Sequence, residues 1–355
     1  MILGSRIALG VYVPALSLKK QLEALGDQAN LLCLEDLYRG KDSVMEETKR
    51  SFHDDFRLAR ISYRIPARSK AAMDPEAERE FLNEAAEKKY DAVITFSGFF
   101  TETLNKLAKE CPHYQERIYA VHMDAVSSRS WKDADLSGIQ EIWLYRTAEQ
   151  KILRSLEQPA ENNSGKCHRI LVHGGGWGIG EYRDKIRILN ELGIPLDIIV
   201  YYPEEASETD PMNDCYLLDP SWKPGRNTDE YPRLLKYQES KWYEFADRQT
   251  VNPLRILMER DIAALSKPGG GTLADSLCTG TPLLFSEELA SYEKENRILW
   301  EQCGFGIVFE DFLMLQDWEN NLLNMRKRLR ETAQNLPLLA DCFHPAVEEG
   351  GLIHA

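Results

Sequence analysis

The sequence of 355 residues predicts a two-domain α/β protein whose parallel sheets face each other across a cleft. Three observations lead to this prediction. Short apolar segments alternate with helical segments, a polar stretch near the middle interrupts the alternation, and two glycine-rich segments each lie between a predicted strand and a predicted helix. Each domain is expected to be Rossmann-like, with helices covering both faces of its sheet.

The first half of the chain contains five predicted strands and four predicted helices. Short apolar runs predict strands at residues 6–9, 30–34, 91–96, 117–121 and 141–145. Helical spacing of apolar residues predicts helices at residues 15–25, 43–62, 75–89 and 101–109. Gly26 is a candidate C-cap for the first of these helices.

Residues 158–168 are polar and rich in turn formers, and they are predicted to link an N-terminal domain (1–158) to a C-terminal domain (167–335). The alternation then restarts. Strands are predicted at residues 169–173, 196–201, 262–266 and 282–285, and helices at 182–192, 253–259, 272–278, 293–303 and 317–331. Residues 203–230 are predicted to be loop. Residues 336–355 are predicted to form a tail that packs back on the N-terminal domain.

The composition excludes several classes of protein. The formal net charge is −14, and residues 1–158 carry 23 basic and 25 acidic side chains, against 20 and 32 in residues 159–355. A nucleic-acid partner is not expected, because binding to phosphate backbones needs clustered Lys and Arg. The seven cysteines form no Cys-x-x-Cys pair and no apolar run approaches the ~20 residues of a membrane span, so a cytoplasmic protein is expected.

The first glycine-rich segment, residues 174–180, follows a predicted strand. Five of its seven residues are glycine, and its candidate ligand-binding residues are Gly175, Gly176, Trp177 and Gly178. Glycine lets a backbone approach a ligand closely, and N–H groups at the start of the next helix can meet phosphate oxygens. The segment does not match G-x-G-x-x-G, so a nicotinamide-cofactor site is not predicted. A tight strand-to-helix turn without a ligand is the alternative.

The second glycine-rich segment also lies between a predicted strand and a predicted helix. Such a helix start exposes unpaired N–H groups beside the positive end of the helix dipole, which suits a diphosphate. Asp275, one turn into the helix, is a candidate helix cap or ligand of a sugar hydroxyl. The candidate diphosphate-binding residues are Lys267, Gly269, Gly270, Gly271 and Thr272.

These motifs are similar to those of the GT-B-fold glycosyltransferases. Residues 169–306 most closely resemble the C-terminal domain of the kind that includes the lipid-linked peptidoglycan GlcNAc transferase, which has an Arg- or Lys-x-Gly-Gly-x-Thr turn and a later Gln-x-x-Asn. Here Glu293 stands in place of that Gln, and Asn296 matches the Asn. The resemblance implies a nucleotide-sugar donor, usually a UDP-sugar. It places the nucleobase of the donor near residues 246–252 and the diphosphate at residues 270–272. It places the ribose or sugar at Asp275 and the sugar hydroxyls at Asn296.

The N-terminal half resembles the family over shorter stretches. Residues 10–16 are similar to the family's first loop, usually G-H-x-x-P-A-L, but Val11 stands where many relatives have the His that serves as catalytic base. Residues 97–100 resemble the family's Gly-Gly-Tyr turn, and residues 121–124 resemble its His-Glu-x-Asn strand end. The resemblance therefore implies the position of the donor site more directly than the identity of the catalytic base.

Inverting sugar transfer needs a base for the acceptor proton and a site that stabilises the departing diphosphate. His122 and Asp124 are the leading candidates for the base, because they end a predicted strand on the side of the cleft. A histidine held by backbone contacts is the alternative for His122, and His173 is expected to orient the first glycine segment. Residues 53–55 are more typical of a solvated helix face, and residues 35–36 are weaker candidates. Residues 133–135 have the Asp-x-Asp spacing but lie in a polar stretch, so no metal site is predicted.

A basic stripe remains outside these motifs. Arg57, Arg60 and Arg64 share one face of a predicted helix, and Arg68 and Lys70 follow in a stretch without acidic residues. A solvated stripe is the first interpretation, and a patch for an anionic acceptor or a peripheral membrane contact is the second.

The predicted function is inverting, metal-independent transfer from a UDP-sugar to a hydroxyl or other nucleophile of a small-molecule or lipid acceptor. No cofactor is predicted beyond the donor. The alternatives are a sugar-nucleotide-binding subunit without activity, which Val11 favours, and a sugar-nucleotide epimerase of related fold.

Overall fold

The computed structural model describes residues 1–6, 8–38, 42–64, 73–159, 167–208, 210–223 and 229–344. The N-terminal half forms a five-stranded parallel sheet with strand order β2-β1-β3-β4-β5. Its elements are β1 (Ile2–Gly4), α1 (Leu9–Ala24), β2 (Leu31–Cys33), α2 (Asp42–Asp54), α3 (Phe56–Arg64), α4 (Pro75–Lys88), β3 (Val93–Thr95), α5 (Thr101–Glu110), β4 (Ile118–His122) and β5 (Gln140–Trp143).

A two-stranded antiparallel ribbon ends the N-terminal half, with β6 (Tyr145–Arg146) and β7 (Lys151–Ile152). The C-terminal half forms an eight-stranded sheet with order β12-β11-β10-β9-β8-β13-β14-β15. The six strands from β10 to β15 in this spatial order are parallel, and β11 pairs antiparallel with both β10 and β12. The elements of this half are β8 (Cys167–Val172), α6 (Tyr182–Glu191), β9 (Leu196–Val200), β10 (Asp214–Leu218), β11 (Leu234–Gln238), β12 (Lys241–Glu244), α7 (Pro253–Arg260), β13 (Asp261–Ser266), α8 (Gly270–Thr279), β14 (Leu283–Phe285), α9 (Ser291–Cys303), β15 (Gly306–Val308), α10 (Phe309–Phe312) and α11 (Trp318–Gln334).

The start of the chain differs from the prediction. The first strand is Ile2–Gly4, not residues 6–9, and Leu9 already belongs to α1. Ile2 and Leu3 are buried and pair with both β2 and β3, so the central position in the sheet falls to the earlier residues. A Cβ on Gly4 would lie 3.2 Å from the Cβ of Ala15, so glycine lets α1 pack closely on this strand.

Two further predictions are wrong. The single helix predicted over residues 43–62 is divided at Asp55, whose carboxylate accepts a hydrogen bond from the Arg57 N–H at 2.9 Å and so begins α3. The loop predicted over residues 203–230 contains β10, which pairs in parallel with β9. The loop was predicted because polar residues flank this strand on both sides, although its centre, Cys215–Tyr216–Leu217, is buried.

The two sheets share one continuous core. A single cluster of buried residues includes Ile2 and Val121 of the first sheet and Val172 and Leu265 of the second. Polar contacts across the cleft add to it, among them the Tyr12 hydroxyl donating to the Glu230 carbonyl at 3.0 Å. Residues after α11 return to the N-terminal half, where the Leu339 N–H donates to the Ser155 carbonyl at 2.8 Å.

The cleft lies at the carboxyl ends of strands from both sheets. Residues directly after β3 and β4 line it from one side, and residues directly after β8 and β13 line it from the other. Parallel α/β sheets usually bind their ligands at this edge. The arrangement confirms the predicted pair of Rossmann-like domains facing each other across a cleft.

Candidate active site

A cavity of about 600 Å³ lies between the two sheets. Its volume falls within the range of small-molecule sites in proteins. Three groups of residues line it. The first group, the glycine wall, consists of Gly174, Gly175, Gly176, Gly269, Gly270, Gly271 and Thr272. The second group, the apolar end, consists of Leu218, Pro232, Leu234, Asn252 and Leu254. The third group, the aromatic group, consists of Phe52, Tyr63, Trp177 and Tyr292.

The start of α8 forms the centre of the glycine wall. Gly269 is its N-cap residue and has no side chain to cap the helix, so apart from the Gly270 N–H, which Asp124 accepts, backbone N–H groups of the first turn can meet a ligand. A Cβ on Gly270 would lie 2.3 Å from the Met123 carbonyl oxygen, and one on Gly271 would lie 3.0 Å from the Cα of Gly10. Glycine is required here because α8 meets the N-terminal half at backbone distance.

The first glycine segment is held from two sides. Gly175 and Gly178 have positive φ angles of 72° and 65°, which glycine adopts without strain. The Gly174 N–H donates to the Tyr201 hydroxyl at 3.0 Å, and the Gly178 carbonyl lies 2.9 Å from Nδ1 of His53. Of the four residues predicted to contact a ligand here, Gly175, Gly176 and Trp177 line the cavity and Gly178 does not.

His53 was expected on a solvated helix face, and the structure places it in the interface instead. It is 4% exposed, and its Nε2 lies 2.7 Å from a Glu205 carboxylate oxygen. The expectation of a polar surface trio overlooked the other half of the protein, which covers this face of α2.

Lys267 and Glu293 both line the cavity, but they neutralise each other. The Lys267 Nζ lies 3.2 Å from one Glu293 carboxylate oxygen, and the other oxygen accepts from the Leu289 N–H at 2.6 Å. A diphosphate at the glycine wall would therefore meet a lysine whose charge Glu293 already balances in part.

Asp275 lies at the edge of the cavity and is 8% exposed. One of its oxygens accepts from Nε of Arg255 at 2.6 Å, and Arg255 also pairs with Glu157 at 2.6 Å. Burial raises the pKa of Asp275, against the lowering effect of Arg255. The carboxylate thus anchors α7 to α8, and a sugar or ribose contact is left to its other oxygen.

Asn296 was predicted to contact sugar hydroxyls, and it does not line the cavity. It is fully buried, and its side-chain NH₂ donates to Asp124 and to the Pro268 carbonyl, both at 2.9 Å. Its carbonyl oxygen accepts from the Ala125 N–H at 2.7 Å. Asn296 therefore joins the end of β4 to the segment before α8.

The structure separates the two candidate bases. His122 is 1% exposed, does not line the cavity and stacks on Trp143 with ring centroids 3.9 Å apart. Burial, followed by the charge of Arg146, lowers the pKa of His122 to about 4. The ring of His122 thus packs in the core, with its Nε2 2.9 Å from a Glu141 carboxylate oxygen, and its predicted role as base has no contact with the cavity to support it.

Asp124 lines the cavity two residues after the end of β4. Its carboxylate accepts hydrogen bonds from Asn296, the Ser128 side chain and the Gly270 N–H. Burial raises the pKa of Asp124 to about 6, although these hydrogen bonds lower it. A carboxylate with such a pKa is a general base at neutral pH.

His173 lies on the opposite side of the cavity, at the end of β8. Its Nδ1 accepts from the Gly175 N–H at 3.1 Å, so the proton of the neutral ring is on Nε2. Burial, followed by the charge of Lys267, lowers the pKa of His173 to about 3. The neutral ring orients the first glycine segment.

Tyr63, Tyr292 and Arg129 are among the cavity residues that sequence reasoning missed. Tyr63 and Tyr292 lie with ring centroids 6.4 Å apart, and the Arg129 guanidinium lies 5.2 Å from the Tyr63 centroid. These residues come from three elements far apart in the chain. Only the Ser-Ser-Arg-Ser run after β4 hinted at a polar loop beside the cleft.

The remaining acidic candidates have structural partners. Glu35 and Asp36 both pair with Arg6, and Asp135 accepts from the Ser137 N–H at 3.0 Å in an exposed turn. Within the described part of the chain, no group of three or more His, Cys, Asp and Glu residues could hold a metal ion. Across the same residues, no helix has the length and apolar character needed to cross a bilayer.

The basic stripe lies on α3. The side chains of Arg57 and Arg60 are exposed, and Leu58 and Ile61 beside them are 46% and 56% exposed. The side chain of Arg64 and residues 68 and 70 lie outside the described part.

No family model matches the chain. A curated relative, the processive diacylglycerol beta-glucosyltransferase of Bacillus licheniformis, is 31% identical over 75 residues, which are 21% of this chain and 20% of that enzyme. The chain thus matches about a fifth of the length of this curated relative.

Several solved structures are similar over nearly their whole length. MurG of Acinetobacter baumannii is 15% identical with a TM-score of 0.53, covering 97% of this chain and 96% of that one. VinC in complex with dTDP is 11% identical with a TM-score of 0.56, covering 97% of each chain. SsfS6 of Streptomyces sp. SF2575, complexed with thymidine diphosphate, is 14% identical with a TM-score of 0.52, again covering 97% of each. The chain therefore has the GT-B fold of glycosyltransferases.

Proposed function

We propose that this protein transfers a sugar from a nucleoside-diphosphate sugar, expected to be a UDP-sugar, to a hydroxyl of a small-molecule or lipid acceptor. One observation carries the proposal: within a single cavity, the start of α8 faces Asp124 of the other half. The helix start supplies N–H groups for a diphosphate, and Asp124 supplies a carboxylate for a proton.

The donor is proposed to lie along the C-terminal half. Its diphosphate would contact the glycine wall, where N–H groups and the helix dipole stabilise negative charge. Its nucleoside would occupy the apolar end, beside Leu218, Leu234 and Leu254. Asn252 also lines this end of the cavity, and it ends the segment that the resemblance assigns to nucleobase binding.

Asp124 is the proposed base. The ionised carboxylate takes the proton of the acceptor hydroxyl as its oxygen attacks the anomeric carbon. The bond between that carbon and the diphosphate oxygen breaks, and attack from the opposite face inverts the configuration. The N–H groups of α8 and the Lys267 ammonium stabilise the leaving diphosphate, so the proposal gives no role to a metal ion.

Two structural neighbours support a sugar-nucleotide donor, because the VinC and SsfS6 structures contain a thymidine diphosphate. The name of the Bacillus licheniformis enzyme describes glucosyl transfer to diacylglycerol. For this chain, UDP, which the resemblance implies, and dTDP, which these structures contain, are the first two nucleotides to test.

A thermal-shift screen with UDP, dTDP, GDP and their sugars tests the donor site. A nucleotide at about 100 times its Kd should raise the free energy of unfolding by about 2.7 kcal/mol. Incubation with the best sugar nucleotide alone then separates the functions. Slow release of free sugar and nucleoside diphosphate supports transfer, an isomerised sugar nucleotide indicates an epimerase, and binding without either indicates a binding subunit. A screen without any shift refutes the proposal.

A further inference from the structure

The α2–α3 hairpin belongs to the N-terminal half but packs on the C-terminal half. Phe56 and Ala59 of α3 are buried in one cluster with Ile179 and Leu289, which follow β8 and β14. His53 of α2 contacts the Gly178 carbonyl at 2.9 Å. The hairpin therefore forms a wall of the cavity that both halves hold in place.

The inner side of this wall is aromatic. Phe52 and Trp177 have ring centroids 6.2 Å apart with planes 33° from parallel, and Tyr63 and Tyr292 are 6.4 Å apart at 37°. In each pair, one ring comes from the hairpin and the other from the C-terminal half. Rings at these distances prefer planar apolar partners, which they contact by offset stacking or by their edges.

The aromatic group adjoins the proposed base. The Tyr63 hydroxyl forms a hydrogen bond with Tyr292, and Tyr292 interacts electrostatically with Asp124 and Glu293. The Arg129 guanidinium, 5.2 Å from the Tyr63 centroid, gives this part of the cavity a positive charge. A molecule held among the rings would therefore present its polar edge to a carboxylate and a cation.

We propose that the acceptor is a compact aromatic compound with a ring hydroxyl, held between the pairs Phe52–Trp177 and Tyr63–Tyr292 with the hydroxyl at Asp124. This inference rests on the proposed sugar transfer. Phe52, Tyr63, Trp177 and Tyr292 are its specificity-determining residues. The aromatic ring stacks on these side chains, and Arg129 stabilises the partial negative charge on the ring oxygen.

The chemistry of a ring hydroxyl suits this site. A phenolic O–H has a pKa near 10, whereas aliphatic hydroxyls are far weaker acids. The proton goes to Asp124, the phenolic oxygen forms the bond to the anomeric carbon, and the diphosphate leaves with the bonding electrons. The buried Asp124 carboxylate, with its pKa raised to about 6, is a stronger base than an ordinary aspartate.

The size of the cavity also favours a compact acceptor. A volume of about 600 Å³ has to hold the sugar nucleotide together with the acceptor. Small-molecule sites of roughly 300–1,000 Å³ usually enclose one drug-sized ligand. A diacylglycerol would therefore leave most of its acyl chains outside, whereas a compact acceptor needs much less of this volume.

The experiment uses the full chain and the sugar nucleotide that gives the largest thermal shift. Transfer is measured to 4-methylumbelliferone, a bicyclic phenol, and to 1-octanol and 1,2-dioctanoylglycerol. We expect kcat/KM for the phenol to exceed both others at least tenfold. Phe52→Ala should raise KM for the phenol roughly tenfold, and Phe52→Tyr should restore it.

Two controls separate specificity from folding. Leu58→Ala changes the same hairpin at a side chain that is 46% exposed, and it should leave KM for the phenol unchanged. A nucleotide-induced thermal shift in Phe52→Ala shows that this variant is folded, and hydrolysis of the sugar nucleotide without acceptor should stay within about twofold in Leu58→Ala. Hydrolysis combined with equal or faster transfer to dioctanoylglycerol overturns the aromatic acceptor and leaves sugar transfer intact. Absence of both nucleotide binding and hydrolysis overturns the proposed function itself, and the acceptor with it.

Discussion

Asp124 and His122 show how two residues near one strand end can have opposite environments. His122 is the last residue of β4 and stacks on Trp143 in the core. The chain leaves the strand at Met123, so the alternation of a strand no longer fixes where Asp124 points. Asp124 turns to the cavity and meets the start of α8, where burial keeps its pKa raised to about 6.

Replacement of Asp124 by Asn should lower sugar transfer by roughly 10²–10⁴-fold while sugar-nucleotide binding persists, because the base is lost and the shape is kept. In the unchanged protein, kcat/KM should fall about tenfold per pH unit below pH 6, where the carboxylate becomes protonated. Both effects are measured by initial rates between pH 5 and pH 8. An Asn variant with full turnover would exclude Asp124 as the base.

Asp124 also links pH to stability. Its pKa in the folded protein is about 6, above the ordinary value of 3.8, so the folded state binds the proton more tightly. The associated stability is present at low pH and is lost as the pH rises through about 6. Between pH 4 and pH 7, the melting temperature of Asp124→Asn should therefore decrease by fewer degrees than the melting temperature of the unchanged protein.

Replacement of His122 by Phe should leave sugar transfer within about twofold, because the ring lies outside the cavity and its role is to pack against Trp143. Replacement by Ala should cost about 3 kcal/mol of unfolding free energy, since it empties a buried site. Denaturant unfolding and turnover per folded molecule measure the two effects. A hundredfold loss of turnover in His122→Phe with donor binding intact would show that His122 takes part in catalysis.

At the scale of elements, the start of α8 serves two purposes. Its N–H groups form the glycine wall, and its glycines let it approach the N-terminal half at backbone distance. The Gly270 N–H already donates to Asp124, so the helix start positions the proposed base as well as the donor. A side chain at position 270 would therefore affect both the position of Asp124 and the proposed donor site.

Replacement of Gly270 by Ala should lower unfolding free energy by roughly 1–3 kcal/mol and weaken the nucleotide-induced thermal shift. Its Cβ would lie 2.3 Å from the Met123 carbonyl oxygen and 2.7 Å from a carboxylate oxygen of Asp124, so α8 has to move away. Gly10→Ala is the matched control for stability, because its Cβ meets no atom within 4 Å. Equal melting temperatures and equal shifts in both variants would contradict this account of α8.

The outer face of α3 combines Arg57 and Arg60 with the exposed Leu58 and Ile61, and contact with an anionic membrane is the second interpretation of this stripe, after a solvated helix face. If α3 does contact such a membrane, charge reversal should weaken the contact. Arg57→Glu combined with Arg60→Glu should weaken co-sedimentation with phosphatidylglycerol vesicles at least fivefold. Arg187→Glu, at an equally exposed position on α6 with 77% of its side chain accessible, should have no effect. If the double variant binds these vesicles as well as the unchanged protein, α3 is a solvated helix face.

At the scale of the whole molecule, the two halves are not independent bodies. One buried cluster runs from the first sheet to the second, and Asn296 and Tyr145 add hydrogen bonds between the halves. The hairpin α2–α3 and the residues after α11 each cross from one half to the other. Separation of the halves would expose apolar surface as well as break these hydrogen bonds.

Thermal unfolding should therefore occur in one cooperative transition, and a bound nucleotide should move that whole transition upward. Differential scanning calorimetry measures the number of transitions directly. Two separated transitions, of which only the later responds to nucleotide, would show that the halves unfold independently.

The sequence by itself predicted the fold class and both glycine segments, because the spacing of apolar residues and the chemistry of glycine turns are local properties. It misplaced elements where local signals conflict with pairing, as at β1 and β10. It also identified Asp124 as a candidate, since residues that follow parallel strands meet at one edge.

Only the tertiary structure decided what each candidate side chain contacts. Lys267 meets Glu293 from 26 positions away, His53 meets Gly178 from 125, and Asn296 meets Asp124 from 172. Such contacts depend on how two sheets and their helices pack together, and no local pattern encodes that packing. For this reason the glycine wall could be predicted from the sequence, while the different surroundings of His122 and Asp124 and the aromatic group emerged only from the folded chain.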